Sequence, residues 1–193
     1  RNIMQFGQGE KKVVLWDLGT KRGVIDSLVR RGCEVWAVPA NTTAEEILLL
    51  KPDGVLISDG PGDPRAVPYV IENCRILLEK VPVFGIGLGH QIIALALGAR
   101  IHRLDFGHRG TNHPVRYFKN NRIYITTQNH GFIIDDASLD NFPVEIIMRS
   151  LNDNTIEGIK HTELPVFSVQ FDPEGYPGYS ETGFFLDDFV NMM

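Results

Sequence analysis

The chain predicts an α/β fold of three layers, with a mostly parallel central sheet, flanking helices and an added antiparallel portion. Three observations carry this. Short apolar runs alternate with helix-like patterns through the first half. The stretch VPVFGIGLGHQIIALALGA, residues 81–99, reads as a buried strand, a very tight turn and a helix. The second half breaks into short segments of alternating polarity.

The elements follow in order. KVVLWDLG (12–19) is an apolar run ending in glycine, as a buried parallel strand does. Val24 to Arg31 is helix-like, with Ile25, Leu28 and Val29 on one face. CEVWAVP (33–39) is the next strand. Thr43 before AEEILLL, with Glu46 three residues on, predicts a capping box and a helix start. GVLISDG (54–60) and PVFGI (82–86) are further strands, and Ala66 to Glu79 is a long helix between them. RIHRL, PVRYF, RIYITTQ, VEIIMRS, TIEGIKH and VFSVQF predict extra, partly antiparallel strands. A last amphipathic helix starts near Ser180 or Glu181, pairing Phe185 with Phe189. Residues 1–10 read as a linker or tail, and residues 11–193 as one domain.

Composition narrows the function. The net charge of −5, with no long Lys/Arg block, argues against nucleic acid as a partner. The longest apolar run, Ile92 to Leu97, is too short to cross a bilayer. The segment RNIMQFGQGEKK has no apolar signal core. Cys33 and Cys74 are too few for a disulfide framework and read as reduced, packed thiols, which fits a cytoplasmic location.

In such sheets the ligand crevice lies beyond the C-terminal strand ends. The loops SDGPGDP (58–64), GIGLGHQ (85–91) and QFDPEGYPG (170–178) leave those ends, and TQNHGF (127–132) follows a later strand. GIGLG has three readings. A dinucleotide fingerprint fails because the third glycine position is His90. A plain glycine turn without chemistry is the second. The third is a nucleophile elbow, Gly-x-nucleophile-x-Gly, with Gly85 and Gly89 in place and a helix N-terminus following to stabilise an oxyanion. Its nucleophile position is Gly87, which has no side chain. SDGPGDP is not a P-loop, because no Lys-Ser/Thr follows its glycines.

VFGIGLGHQIIALALGA resembles the nucleophile segment of the class I glutamine amidotransferases. SDGPGDP, FGHRGTNHPV (106–115), ITTQNHGF (125–132) and the PExxPG segment (173–178) follow that family's order and spacing. FGHRGTNHPV points, within the family, to the small glutaminase subunits of carbamoyl phosphate synthetase. The resemblance runs from about Lys11 to the end. It implies a flavodoxin-like core, glutamine hydrolysis, and ammonia delivered to a large synthetase subunit that holds the ATP and magnesium; this chain itself needs no cofactor. It implies Gly60 and Leu88 as backbone oxyanion donors, and Gly60, Gly62, Leu88, Gln91, Asn129, Gly131 and Phe132 around L-glutamine.

Two positions depart from the family pattern. Gly87 stands where the resemblance implies a cysteine nucleophile, and Asp172 where it implies the histidine base. Of the triad only Glu174 remains, with nothing to orient. A carboxylate of ordinary pKa is a weak base for activating water at pH 7. The expectation is therefore a glutaminase-deficient domain; the alternatives are a glutamine-binding regulatory module or a weak hydrolase in which Asp172 activates water. Glycine at 87 is also expected to relax a strained turn. The six histidines show no HxH, HExxH or Cys/His spacing, so structural or surface roles and no metal site are expected. Asp17 is expected to cap a loop, and the Asp187–Asp188 pair to be solvated.

Overall fold

The computed structural model describes residues 3–140, 142–174 and 180–193. One ten-stranded sheet runs through the molecule. Its parallel part is built from β2 (Lys11–Asp17), β3 (Cys33–Pro39), β4 (Gly54–Ile57), β5 (Val83–Ile86) and β10 (Val166–Val169). β1 (Met4–Phe6) pairs antiparallel with β3 at one edge. Beyond β10 lie β9 (Ile156–His161), β8 (Val144–Ser150), β6 (Ile101–Tyr117) and β7 (Arg122–Ile134), all antiparallel. The strand order is β1-β3-β2-β4-β5-β10-β9-β8-β6-β7.

Helices cover both faces and make the three layers. On one face, α2 (Ala44–Leu49), α3 (Pro68–Leu78) and α4 (Leu88–Leu97) pack Ile47, Cys74, Leu77, Ile92 and Ile93 against Val14, Val55 and Val83. On the other, α1 (Arg22–Arg30) and α5 (Phe184–Met192) pack Leu28, Phe185 and Phe189 against Val13, Leu15, Leu56 and Phe84. Strand alternation sorts these side chains: Val83 faces one layer and Phe84 the other. Phe84 is fully buried, with its ring 4.5 Å from Phe167 and 5.7 Å from Phe189. A buried phenylalanine contributes about 1.5–3 kcal/mol of transfer free energy. Among the described residues no helix is long and apolar enough to cross a membrane.

The expected strands and helices of the first half are present, with shifts at their ends. The capping box of α2 forms: Thr43 accepts the Glu46 N–H and Glu46 accepts the Thr43 N–H. The helix expected from Ala66 begins at Pro68 instead, after a 3-10 turn over Pro64–Ala66. Pro68 disfavours the helical region for the residue before it, and Val67 sits at φ −121° and ψ 58°. The final helix begins at Phe184, because the Ser180 hydroxyl donates to Pro173 O and accepts the Thr182 N–H, folding 180–183 as a turn. Residues 4–6, within the segment read as a tail, form the edge strand β1.

The second half differs more. RIHRL, FGHRGTN and PVRYF are one continuous strand, β6, irregular between Arg103 and His108 and between Gly110 and His113. Gly110, at φ 136°, permits the second irregularity. TQNHGF lies within β7 rather than in a loop. β10 joins the parallel core beside β5.

A close backbone contact lies under α4. A Cβ on Gly85 would stand 2.8 Å from the Gly89 carbonyl, and one on Gly89 would collide with Ile57 O. These glycines let α4 start directly on the sheet. Gly85→Ala is expected to destabilise the fold by about 1–3 kcal/mol, since the Gly89 backbone as well as the Ile93 side chain is in the way. A urea melt measures it; an unchanged midpoint would refute the account.

Candidate active site

The elbow is formed as the glycine pattern predicts. Gly87 joins β5 to α4 at φ 55° and ψ −108°. Its N–H donates to Val169 O at 3.0 Å, and the Gly89 N–H donates to Ser58 O at 3.2 Å. These bonds fix the turn between β10 and the loop after β4. A residue with a side chain would hold this conformation at a strain of about 1–3 kcal/mol. The turn is therefore a relaxed one in this chain, as expected for glycine.

A cleft of about 780 Å³ opens beside the elbow. The loop after β4 supplies Gly60 and Gly62, and α4 supplies Leu88 and Gln91. β7 supplies Asn129, Gly131 and Phe132 from the facing wall. All the expected substrate positions thus line one cavity. Gln91 is buried; its amide nitrogen donates to Phe132 O at 2.9 Å and to Gln170 Oε1 at 3.0 Å, tying α4 to the β7 wall. His90 is buried too and bonds Ser168 Oγ at 2.8 Å. Burial pushes its pKa down to about 3, so it is a neutral packed imidazole.

Three carboxylates and one ammonium gather beside the cleft; Lys21 and Asp59 line it, while Asp172 and Glu174 lie outside its lining. Asp59 accepts the Leu88 N–H at 2.9 Å. Burial raises its pKa, while the Leu88 and Gly60 N–H groups draw it back. The two expected oxyanion donors therefore already face an internal carboxylate. The same carboxylate lies where a side chain at 87 would go: a Cβ built on Gly87 would be 2.5 Å from Asp59 Cγ and closer still to Oδ1.

Asp172 is ion-paired to Lys21 and buried. Burial pulls the Lys21 pKa down, but the hydrogen bond and charge of Asp172 outweigh it, and the ammonium ends above its usual value. Lys21 lines the cleft from the loop after β2. That loop is held by Asp17, whose Oδ1 accepts the Gly19 and Thr20 N–H groups at 3.0 and 2.8 Å, the cap expected of it. Glu174 is the third carboxylate. Burial, then the Asp172 charge, pushes its pKa up to about 7. Among the described residues neither of its oxygens has a hydrogen-bond partner. Residues 175–178 of the PExxPG segment lie outside the described residues.

Sequence reasoning missed Asp59 and Lys21 as participants, along with Arg103 and Arg109 on the cleft rim. Asp59 stands inside a quoted motif, but nothing local says that its carboxylate turns back onto Leu88. Lys21 had one signal, its place just past the end of a parallel strand.

A strand-to-helix elbow, one backbone donor at the start of α4 and one in the loop after β4, and a glycine-lined cleft fit the amidotransferase type of α/β protein. The profile of the family "Glutamine amidotransferase class-I" matches residues 14–192. The chain belongs to that family. It is 50% identical over 181 residues to the carbamoyl phosphate synthase small chain of Staphylococcus haemolyticus, covering 94% of this chain and 50% of that protein. To the small chain of Oceanobacillus iheyensis it is 48% identical over 182 residues, again 94% of this chain and 50% of the relative. The chain spans about half the length of these relatives. A solved Thermoplasma acidophilum structure, described as part of a GMP synthase, superposes with a TM-score of 0.80 at 20% identity, over 94% of this chain and 93% of that one. A Thermotoga maritima glutamine amidotransferase superposes at 0.67 and 17%, over 86% and 77%. These last two show the fold.

Glu174 gives the site a pH signature. Its folded pKa, about 7, lies above the ordinary 4.5, so the folded state binds this proton more tightly than the unfolded state does. The stability it contributes is present below pH 4.5 and lost as pH rises through about 7. The size is on the order of 3 kcal/mol. Glu174→Gln is expected to flatten that part of a stability-against-pH curve taken by denaturant melts, and an unchanged slope would count against the buried, unpaired carboxylate.

Proposed function

We propose that this chain is the amidotransferase portion of a carbamoyl phosphate synthase small-chain-type protein, that its cleft takes glutamine, and that it does not hydrolyse it. The observation that supports the reading is the elbow: Gly87 sits at φ 55° with the Asp59 carboxylate where a nucleophile would begin.

The chemistry follows from what the family resemblance implies for an active relative. A thiolate would attack the side-chain carbonyl of glutamine, forming an S–C bond and an oxyanion held by two N–H groups. The C–N bond would then break as an imidazole protonates the departing ammonia. This chain has no thiol at 87 and no imidazole at 172. Its oxyanion donors face Asp59. Asp172, which stands at the base position, is tied to Lys21. Loss of such a set of groups lowers the rate by about 10⁴–10⁶.

The cleft still suits glutamine. Its carboxamide N–H₂ can donate to Asp59, whereas the side-chain carboxylate of glutamate would meet that acid as a like charge. The partner in this reading is a large synthetase subunit, which binds ATP and magnesium and uses ammonia. The protein then works in the cytoplasm as a scaffold for ammonia-dependent synthesis.

Calorimetry with millimolar glutamine is expected to give binding heat, with glutamate at least about tenfold weaker. Ammonia release should match a protein-free blank. Reactivation separates the site assignments from the fold. In a Gly87→Cys/Asp172→His variant the Asp59 charge would press on the new sulfur and oppose the thiolate. Adding Asp59→Asn is expected to raise ammonia release at least about tenfold over the double variant. A folded triple variant with no activity would show that the cleft has been assigned wrongly.

A further inference from the structure

In the β7 wall of the cleft, sharing His130 with its lining, stands a cluster that the proposed reaction does not use. The β6–β7 register puts His108 directly opposite His130, and their rings lie 4.8 Å apart. Glu157, from β9, reaches the same spot and is fully buried. A ring nitrogen of His108, a ring nitrogen of His130 and a Glu157 carboxylate oxygen all lie within 4.8 Å of one another. Gln128 Oε1 completes the ring, 3.1 Å from His108 Nδ1 and 2.9 Å from His130 Nε2.

The outer nitrogen of each imidazole is already engaged by an acceptor. His108 Nε2 lies 2.7 Å from Asp153 Oδ2, and His130 Nδ1 lies 3.0 Å from Phe132 O. The Phe132 carbonyl accepts only, so His130 carries its proton on Nδ1 and turns the lone pair of Nε2 inward. That lone pair meets Gln128 Oε1. The amide is held in this orientation because its nitrogen donates to Glu157 Oε2 at 2.8 Å and to Thr126 Oγ1 at 3.1 Å. Thr126 spends its own hydroxyl proton on His113 O. Turning the amide over would relieve the histidines but set its oxygen against Glu157 instead. Two imidazole nitrogens, the Glu157 carboxylate, 3.6 Å from His108 Nδ1, and the Gln128 carbonyl thus converge on one point. Imidazoles whose outer N–H groups are held by a carboxylate and a backbone carbonyl are the usual outer shell of a metal site.

We propose that His108, His130 and Glu157 bind a divalent transition-metal ion of the zinc class, with the Gln128 carbonyl or a water as fourth ligand. Two imidazole nitrogens and a carboxylate suit zinc, and oxygen-only cations such as magnesium are disfavoured by the nitrogens. The site pins β6, β7 and β9 together directly behind Asn129 and Gly131. It would act as a staple for the cleft wall and is independent of whether glutamine binds.

The test uses the untagged chain, stripped with a chelator and titrated with cobalt(II). The expected result is the strong visible absorption of four-coordinate cobalt, saturating at one ion per chain and displaced by zinc. Glu157→Gln and His108→Ala should each weaken binding at least about tenfold, and Asp153→Asn, which touches only the outer shell, by about ten- to a hundredfold. His102→Ala, at an exposed histidine outside the cluster, should leave it unchanged. No cobalt band in the folded wild-type chain would overturn the proposal, whatever the variants do. A band that persists undiminished in a folded Glu157→Gln chain would overturn it as well, since the ion would then be bound elsewhere.

Discussion

The close approach of α4 to the sheet governs this molecule. Gly85 and Gly89 remove the side chains that would hold the helix off, so its first turn lands on the carbonyl of Ile57 and the end of β5. Two consequences follow from that one contact. The first N–H groups of α4 point into the crevice between β4 and β5, where a partial positive charge collects. The reversal at residue 87 also becomes sharp enough to require positive φ. The cleft, its donors and its vacant position are products of backbone packing, and they persist whatever residue occupies the tip.

An elbow of this kind draws an anion. With no thiolate and no substrate oxyanion, Asp59 folds back and supplies one, at the cost of a raised pKa from burial. That choice propagates. A carboxylate at the helix start sits near Asp172 and Glu174, and three buried acids would repel one another without a cation. Lys21 provides it, and Asp17 holds the loop that brings Lys21 in. Burial first, and then the Asp172 charge, lifts the Glu174 pKa to about 7. Asp59, Asp172, Glu174 and Lys21 thus form one coupled charge network beside the cleft, in which the Glu174 oxygens lack a hydrogen-bond partner among the described residues.

What was legible in the sequence divides along the range of the interactions. Strand–helix alternation, the Thr43 cap and the elbow depend on residues a few positions apart, and these were readable. Gly60, Leu88, Gln91, Asn129 and Phe132 were readable as one cleft only because their motifs keep a family's order, since nothing in any single motif says the others are near. Side-chain direction across strands was not readable. The Asp59 carboxylate could have faced solvent, and Lys21 could have been one more surface lysine. The His108–His130–Glu157 group is the sharpest case: 22 positions separate the histidines, so no local spacing exists, and only the irregular β6–β7 ladder sets them opposite each other. A motif search reads distance along the chain, whereas strand pairing creates neighbours across it.

The chain also separates two things that an elbow is easily taken to imply together. Geometry for catalysis and capacity for catalysis come from different residues here. The geometry is held by glycines and backbone bonds, so removing the reacting groups does not loosen it; glycine at 87 instead releases strain that a side chain would store there. Selection on a reaction is therefore not needed to keep this cleft in shape. A cleft that keeps its shape without turnover is suited to holding a ligand, or to presenting a fixed surface to a partner. The Asp59 carboxylate occupies the space that a Cβ at 87 would fill, so glycine there and that carboxylate are a matched pair.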